Sequence, residues 1–259
     1  MLGAAVGKEK HRTWIRAIPW WNAEVKPLLY LTLLCAVVLS PVASAAPAPI
    51  DDTMTARLAA CSTCHGAQGR AAPDGYHPRI AGKPAGYLLH QLMNFRDGRR
   101  HYGPMVAMVT PLPEAYLREI ADYYASRQLP YAAPLPAKAD AASLARGKQL
   151  ALEGDAARGL VACSACHGAL LTGRLPATPG LLGLPRDYLV GQLGAWVNGQ
   201  RRAHAPDCMA DVAKRLVGAD LAAVAAWLAS QAVPDGAPVA AAPVDGESLP
   251  MKCGSASMP

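Results

Sequence analysis

The sequence predicts an all-α protein in which two similar domains follow one another. Three observations support this prediction. Apolar residues recur at three-to-four spacing within short segments, Gly- and Pro-rich loops separate those segments, and one pentapeptide occurs twice. The pentapeptide reads Cys-Ser-Thr-Cys-His at 61–65 and Cys-Ser-Ala-Cys-His at 163–167. A Gly/Pro-rich loop and further helical segments follow each copy, so we expect one domain around each.

Both copies have the pattern C-x-x-C-H, which is typical of covalent haem attachment. Two cysteines one helical turn apart can form thioether bonds to the two vinyl groups of one porphyrin. These pairs are Cys61 with Cys64 and Cys163 with Cys166. His65 and His167 would each supply an axial imidazole to the iron. Zinc ribbons and disulfide pairs share the C-x-x-C spacing, but the adjoining histidine and the repetition favour two haem c groups.

Composition agrees with a cofactor in each core. Aromatic residues make up 6% of the chain, and Phe95 is its sole phenylalanine. Domains of this size with so little aromatic bulk are hard to stabilise by side chains alone, and a flat apolar cofactor would fill that role. The formal net charge is +6, and it falls to +3 without residues 1–45. This remaining charge is mild and evenly spread, which argues against nucleic-acid binding.

Residues 1–45 resemble a secretory signal peptide. A basic flank precedes an uncharged run over 28–39, and the small residues Ala43-Ser44-Ala45 form an A-x-A cleavage pattern. We therefore expect export to the periplasm, where covalent haem attachment is completed. An uncleaved membrane anchor is the alternative, although prolines interrupt the apolar run before it reaches the length of a spanning helix.

The first domain is predicted at 46–127. Its first helix, at 51–66, would deliver the first pentapeptide. A second helix is expected at 85–97 and a third at 113–127, which has Pro113 at its start. The loop between them carries Met105 and Met108.

The second domain repeats this plan. A Pro/Ala-rich linker is predicted at 128–142, the second domain at 143–231, and a disordered tail at 232–259. Helices are expected at 143–152, 185–198 and 219–230, with Met209 in a loop before the last helix.

Matching positions outside the pentapeptides show that the domains are duplicated units. At offsets of 101 or 102 the matches are Pro78 with Pro179, Gly82 with Gly183, Tyr87-Leu88 with Tyr188-Leu189, Gln91-Leu92 with Gln192-Leu193, and Arg99-Arg100 with Arg201-Arg202.

At an offset of 104, Met105 matches Met209. These two methionines are the candidates for the second axial ligand, since a thioether there favours an electron-transfer haem. Met108 is the competitor in the first domain.

The order of helix, C-x-x-C-H, Pro/Gly loop, Tyr-Leu-x-x-Gln-Leu helix, methionine segment and final helix resembles a class I cytochrome c. Its duplication across a Pro-rich linker resembles the dihaem cytochrome c4 family of periplasmic electron carriers. The resemblance implies two all-α haem domains about a pseudo-twofold axis. It also implies that the carbonyls of Pro78 and Pro179 accept the remaining ring N–H of the axial histidines. Arg79 would lie near haem propionates, and its counterpart Gly180 cannot, so the two haems would differ in potential.

Several residues leave alternatives open. Cys208 and Cys253 could form a disulfide or remain free thiols, and Cys208 could replace Met209 as the ligand of the second iron. Other histidines, including His90 and His204, are interpreted as surface or loop residues. The paired arginines at 99–100 and 201–202 are interpreted as solvated helix ends rather than anchors for propionates.

The sequence thus predicts an electron carrier rather than an enzyme. It would shuttle single electrons between respiratory donors and a terminal oxidase or reductase, with redox proteins as partners and peripheral contact with membrane complexes. Two alternatives remain: a haem subunit of a dehydrogenase, such as a flavocytochrome sulfide dehydrogenase, and a dihaem thiosulfate-oxidising enzyme that uses Cys208.

Overall fold

A computed structural model describes residues 52–236, 239–241 and 249–257. The expected signal peptide at 1–45 lies outside these residues. Within the described ranges, no helix is both long enough and apolar enough to cross a membrane.

The first half of the described chain contains five α-helices, and turns, loops and one short 3-10 helix (Ala67–Gly69) connect them. They are α1 (Met54–Arg57), α2 (Ala59–His65), α3 (Ala85–Arg96), α4 (Gly103–Val109) and α5 (Glu114–Ala125). The Thr53 side chain caps α1 by accepting the Ala56 N–H. Pro84 and Pro113 immediately precede α3 and α5, where a missing backbone N–H has no cost.

The second half repeats this order with one short addition. Its helices are α6 (Ala141–Leu152), α7 (Cys163–His167), α8 (Arg186–Val197), α9 (Cys208–Arg215) and α10 (Gly218–Ser230). Two short antiparallel strands, β1 (Gly173–Arg174) and β2 (Thr178–Pro179), lie in the loop after α7. The all-α prediction is confirmed, since this hairpin is the sole named sheet among the described residues.

Each half has its own hydrophobic core. In the first, Leu58, Leu89 and Leu117 are buried among the helices. In the second, α6 crosses α10 closely at Gly147, where a Cβ atom would lie 2.2 Å from the Ala223 carbonyl oxygen. The two cores support the predicted duplication of one helical unit.

The methionine segments differ from the prediction. Met105 lies in helix α4 and Met209 in helix α9, and both were expected in loops. Pro104 provides a start signal for α4. The Asp207 carboxylate caps α9 by accepting the Ala210 N–H at 3.0 Å. Local sequence therefore contained both signals, and the prediction missed them.

The linker and tail also differ from the prediction. Helix α6 begins at Ala141, inside the segment predicted as linker, because Asp140 caps it. The tail was expected to be disordered, but its described parts contact the second domain. The Ala240 N–H donates to the Gly173 carbonyl at 2.9 Å, and Cys253 forms a disulfide with Cys208. The prediction of disorder is therefore wrong for 239–241 and 249–257.

Candidate haem sites

The two pentapeptides form equivalent short helices that end in buried histidines. In the first domain, the His65 Nδ1–H donates to the Pro78 carbonyl oxygen at 2.9 Å. In the second, the His167 Nδ1–H donates to the Pro179 carbonyl oxygen at 2.7 Å. The hydrogen bonds that the family resemblance implied are thus present. Each leaves Nε2 as the nitrogen with a free lone pair.

Burial keeps both histidines in the neutral form that binds metals. It lowers the pKa of the His65 imidazole and, with the nearby Lys83 cation, that of His167. The carbonyl bonds act in the opposite direction, but desolvation is the larger effect in each case. Both rings are therefore oriented and unprotonated.

The four pentapeptide cysteines are free thiols. Cys61, Cys64, Cys163 and Cys166 are all half-buried. Burial raises the pKa of the Cys163 thiol to about 11. The disulfide-pair interpretation of the pentapeptides therefore fails. Among the described residues, no three His, Cys, Asp or Glu side chains are grouped as a metal site would require.

A large, mostly apolar cavity connects these groups. Its volume is about 550 Å³, and its walls come from both domains. Both histidines, all four cysteines and the repeat-matched Met105 and Met209 line it. Met108 also reaches the cavity, but 42% of its surface is exposed. The predicted haem ligands of each domain are thus brought to one continuous space.

A buried polar cluster joins the domains at this cavity. We call Gln91, Arg100, Tyr188, Gln192 and Arg201 the interface cluster. Arg100 donates to the side-chain oxygens of Gln91 (3.0 Å) and Gln192 (2.6 Å). Arg201 donates to the same two oxygens, each at 2.9 Å. This reciprocal pattern relates the two domains as a pseudo-twofold axis would.

The interface cluster corrects the prediction of solvated arginines. Arg100 and Arg201 are only 8% and 5% exposed. They lie over the rings of Phe95 (4.5 Å) and Trp196 (3.8 Å). These rings match at an offset of 101, so Arg100 corresponds to Arg201 in the folded chain, and not to Arg202 as the offset of 102 predicted. Arg99, by contrast, remains nearer the surface, where it pairs with Asp97. Sequence periodicity placed the arginines at helix ends but could not show that the two ends meet.

These features fit a haem group. Burial and the neighbouring Arg100 lower the pKa of the Arg201 guanidinium. Within the described part of the chain, neither arginine forms an ion pair with a carboxylate, and the buried Trp196 Nε1–H lacks an acceptor. Buried cations without anionic partners are costly. An apolar cavity bordered by such cations and N–H donors suits a flat apolar ring that carries carboxylates.

Two buried basic residues, Arg79 and Lys83, lie beside the cavity. Arg79 donates to the Leu129 and Pro130 carbonyls and lies 3.9 Å over the Tyr131 ring, so it anchors the linker. Lys83 was not singled out in the sequence. Its buried Nζ donates to the Gly180 carbonyl of the other domain at 2.9 Å. Burial and Arg79 lower its pKa to about 7.

His90 and His204 form a further contact between the domains. His90 is 3% exposed, and the two ring centroids are 5.1 Å apart. Burial, His204 and Arg99 together lower the pKa of His90 to about 4. The interpretation of His90 as a surface residue is therefore wrong.

Cys208 is bonded to Cys253 in this structure. Of the two states left open by the sequence, the disulfide is the one observed. A bonded Cys208 has no thiolate to offer an iron, which weakens its candidacy as the ligand next to Met209.

Comparisons with known proteins give the family. No protein-family profile matches the chain. A thiosulfate dehydrogenase electron acceptor of Thiomonas intermedia is 38% identical over 207 residues, which cover 80% of this chain and 92% of the relative. A cytochrome c4 of Pseudomonas aeruginosa is 32% identical over 175 residues, which cover 67% of this chain and 84% of the relative.

Comparisons with solved structures point to the same family. Reduced cytochrome c4 from Pseudomonas stutzeri superposes with a TM-score of 0.60 at 28% identity, over 68% of this chain and 95% of that one. Thiosulfate dehydrogenase TsdBA from Marichromatium purpuratum gives a TM-score of 0.61 at 33% identity, over 67% of this chain and 36% of that longer one. The chain therefore belongs to the cytochrome c4 family, and it is a c-type cytochrome that carries two haem groups and transfers electrons.

Proposed function

We propose that this cytochrome accepts electrons in the periplasm from a thiosulfate dehydrogenase and passes them to a terminal oxidase or reductase. Two similarities support the choice of donor. One relative is named as the electron acceptor of that enzyme, and part of the TsdBA chain shares this fold. The observation that carries the proposal is the continuous cavity, because it brings the predicted ligands of both haems together across the domain interface.

The ligand assignments are part of the proposal. Cys61 and Cys64 would hold the first haem by thioether bonds, and Cys163 and Cys166 the second. The axial ligands would be His65 and Met105 in the first domain and His167 and Met209 in the second. Their position on one cavity and their match within the repeat support this set.

The bound haem supplies an iron that changes its charge by one unit in each transfer. The chain's own residues keep the structural and solvent reorganisation that accompanies this change small. The Pro78 and Pro179 carbonyls hold each imidazole in one orientation. Apolar walls exclude water, so little solvent has to reorient. Haem potentials depend on axial ligands, nearby hydrogen bonds and burial, and a His/Met pair favours the reduced state.

The interface cluster would hold the two haems at a fixed separation. Arg100 and Arg201 each bind both glutamines, so neither domain can rotate without breaking bonds in the other. Their charges would be balanced by haem carboxylates. A rigid interface of this kind favours repeated electron exchange between the haems.

The donor is tested by stopped-flow mixing of the oxidised cytochrome with thiosulfate dehydrogenase and thiosulfate. We expect both haems to be reduced, and to see no reduction when the dehydrogenase is omitted. Reduction by dithionite but not by the dehydrogenase system would reject this donor while leaving electron transfer intact. Gel filtration of the mixture would distinguish a diffusing carrier, which elutes separately, from a permanent haem subunit, which co-elutes.

The compartment is tested by fractionation. We expect haem staining of the mature cytochrome in the periplasmic fraction, with an N-terminus beyond residue 45. A haem-stained band that stays with the membrane after a salt wash would instead support the uncleaved anchor.

A further inference from the structure

The C-terminal strap, which we define as residues 249–257, crosses the start of helix α9. Three bonds fasten it there: the Cys208–Cys253 disulfide, the hydrogen bond from the Gly254 N–H to the Pro206 carbonyl (2.9 Å), and the hydrogen bond from the His204 N–H to Ser255 Oγ (3.2 Å). Consecutive residues of the strap are thus attached to the short segment that leads directly into Met209.

The strap also reaches the haem cavity. Alternate strap residues, at 249, 251, 253 and 255, line the same space as His167 and Met209. Leu249 and Met251 add apolar surface to that wall. The strap is therefore part of the second site rather than an appendage on its outer surface.

The contact at Gly254 is close. A Cβ atom at this position would lie 2.3 Å from the Ala205 carbonyl oxygen, a separation that real Cβ atoms do not show. Glycine thus allows the strap backbone to approach the backbone before α9. Even one added methyl group would push the two segments apart.

The first domain is built differently at the matching place. Pro104 occupies the position that matches Cys208, directly before Met105, and a proline cannot form a disulfide. Met108, one turn further along α4, is 42% exposed. The strap is therefore an asymmetric feature that acts on the second methionine alone.

We infer that the strap positions the Met209 thioether at the second haem and resists its displacement, with Cys253 as the positioning residue. The inference rests on the proposed ligation by Met209. Because α9 has only eight residues, its own backbone bonds hold its start weakly. A covalent tie beside the ligand, together with two hydrogen bonds, reduces the opening of this segment.

The test uses the haem-loaded double variant Cys208→Ser/Cys253→Ser, which also removes any thiol that could bind iron. Imidazole is added to the oxidised protein, and loss of each methionine–iron bond is followed by absorption. NMR of the reduced protein assigns the two methionine signals with Met105→Leu and Met209→Leu. We expect displacement at the second haem to become about tenfold faster or more, in line with the usual effect of losing a disulfide. Displacement at the first haem should not change.

Gly254→Ala provides a second variant that retains the disulfide. It should also speed displacement at the second haem, because the added methyl separates the strap from Ala205. Gly191→Ala is the matched control: it adds a methyl group in the same domain, where nothing lies within 4 Å. If the double variant fails to incorporate two haems, the comparison of these two variants decides the question.

The outcomes distinguish a failure of the Met209 ligand assignment from a failure of the strap inference. If Met209→Leu leaves both methionine signals intact, the ligand assignment fails and the inference falls with it. If Met209→Leu abolishes the second signal but neither strap variant changes the displacement rate, the strap inference alone is overturned.

Discussion

At the scale of single residues, Lys83 is the clearest difference between the two haem sites. Its buried cation lies close enough to His167 to lower the pKa of that imidazole, and Leu184 takes its place in the repeat. A nearby positive charge disfavours the ferric state more than the ferrous state. The two haems should therefore differ in potential through Lys83, in addition to Arg79, which lines the same cavity.

Below pH 7, where Lys83 is mostly protonated, replacing it by methionine should lower the potential of the second haem by tens of millivolts, because the cation is lost while the side-chain volume is kept. The first haem should change less. A spectroelectrochemical titration measures both potentials. Lys148→Met removes an exposed lysine of the second domain and serves as the control, since water screens its charge. Equal shifts in the two variants would contradict the role given to Lys83.

His90 makes stability depend on pH. Its pKa is about 4 in the folded protein, against an ordinary value of 6.5, because of burial, His204 and Arg99. Between these values the unfolded chain takes up a proton that the folded chain does not. The free energy of unfolding should therefore fall as pH decreases from 6.5 toward 4, by up to about 1.4 kcal/mol per pH unit from this residue.

Urea unfolding of the haem-loaded protein between pH 4.5 and 6.5 measures that slope, which should become smaller in His90→Phe. His101→Phe replaces an exposed histidine and should leave the slope unchanged. An unaltered slope in His90→Phe would show that His90 does not limit acid stability.

At the scale of helices, the crossing of α6 and α10 holds the second domain together. Arg146 of α6 and Arg158 both pair with Asp220 of α10, at 3.0 and 2.6 Å. Gly147 permits the close approach of the two helices. The pairing fixes the relative position of the helices, so a larger residue at Gly147 cannot be accommodated by sliding one helix along the other.

Gly147→Ala should therefore lower the free energy of unfolding by about 1–3 kcal/mol, the usual cost of overpacking. Gly191→Ala, in the open part of α8, should raise it by up to about 1 kcal/mol, because alanine favours helix. Urea unfolding of both variants provides the comparison. A stabilised Gly147→Ala variant would mean that the helices can separate without cost.

Helices also show where sequence reasoning succeeds and where it stops. Periodicity and Pro113 predicted α5 at nearly its observed bounds, because both signals are local. The start of α9 was missed although Asp207 is a capping residue and Met209, Val212 and Leu216 have helical spacing, since a segment of eight residues is too short for that spacing to stand out. The strap could not be predicted, because its contacts depend on residues 204–208 lying beneath it in the folded chain.

At the scale of the whole molecule, the duplication was visible in the sequence, but the way in which the domains meet was not. The matched residues Gln91 and Gln192 predicted equivalent helices. Only the folded chain shows that each glutamine accepts from both Arg100 and Arg201. Polar residues that form the interface have the same local sequence pattern as polar residues at solvated helix ends. Periodicity therefore cannot distinguish an interface helix end from a solvated one.

The central claim is that the molecule carries two haems, each bound by histidine and methionine. The most direct measurement is a haem count by pyridine haemochrome, combined with near-infrared absorption and electron paramagnetic resonance of the oxidised protein. We expect two haems per chain and a methionine–iron charge-transfer band that halves in Met105→Leu and in Met209→Leu. A low-spin thiolate signal, or a high-spin open haem in the unaltered protein, would contradict the account.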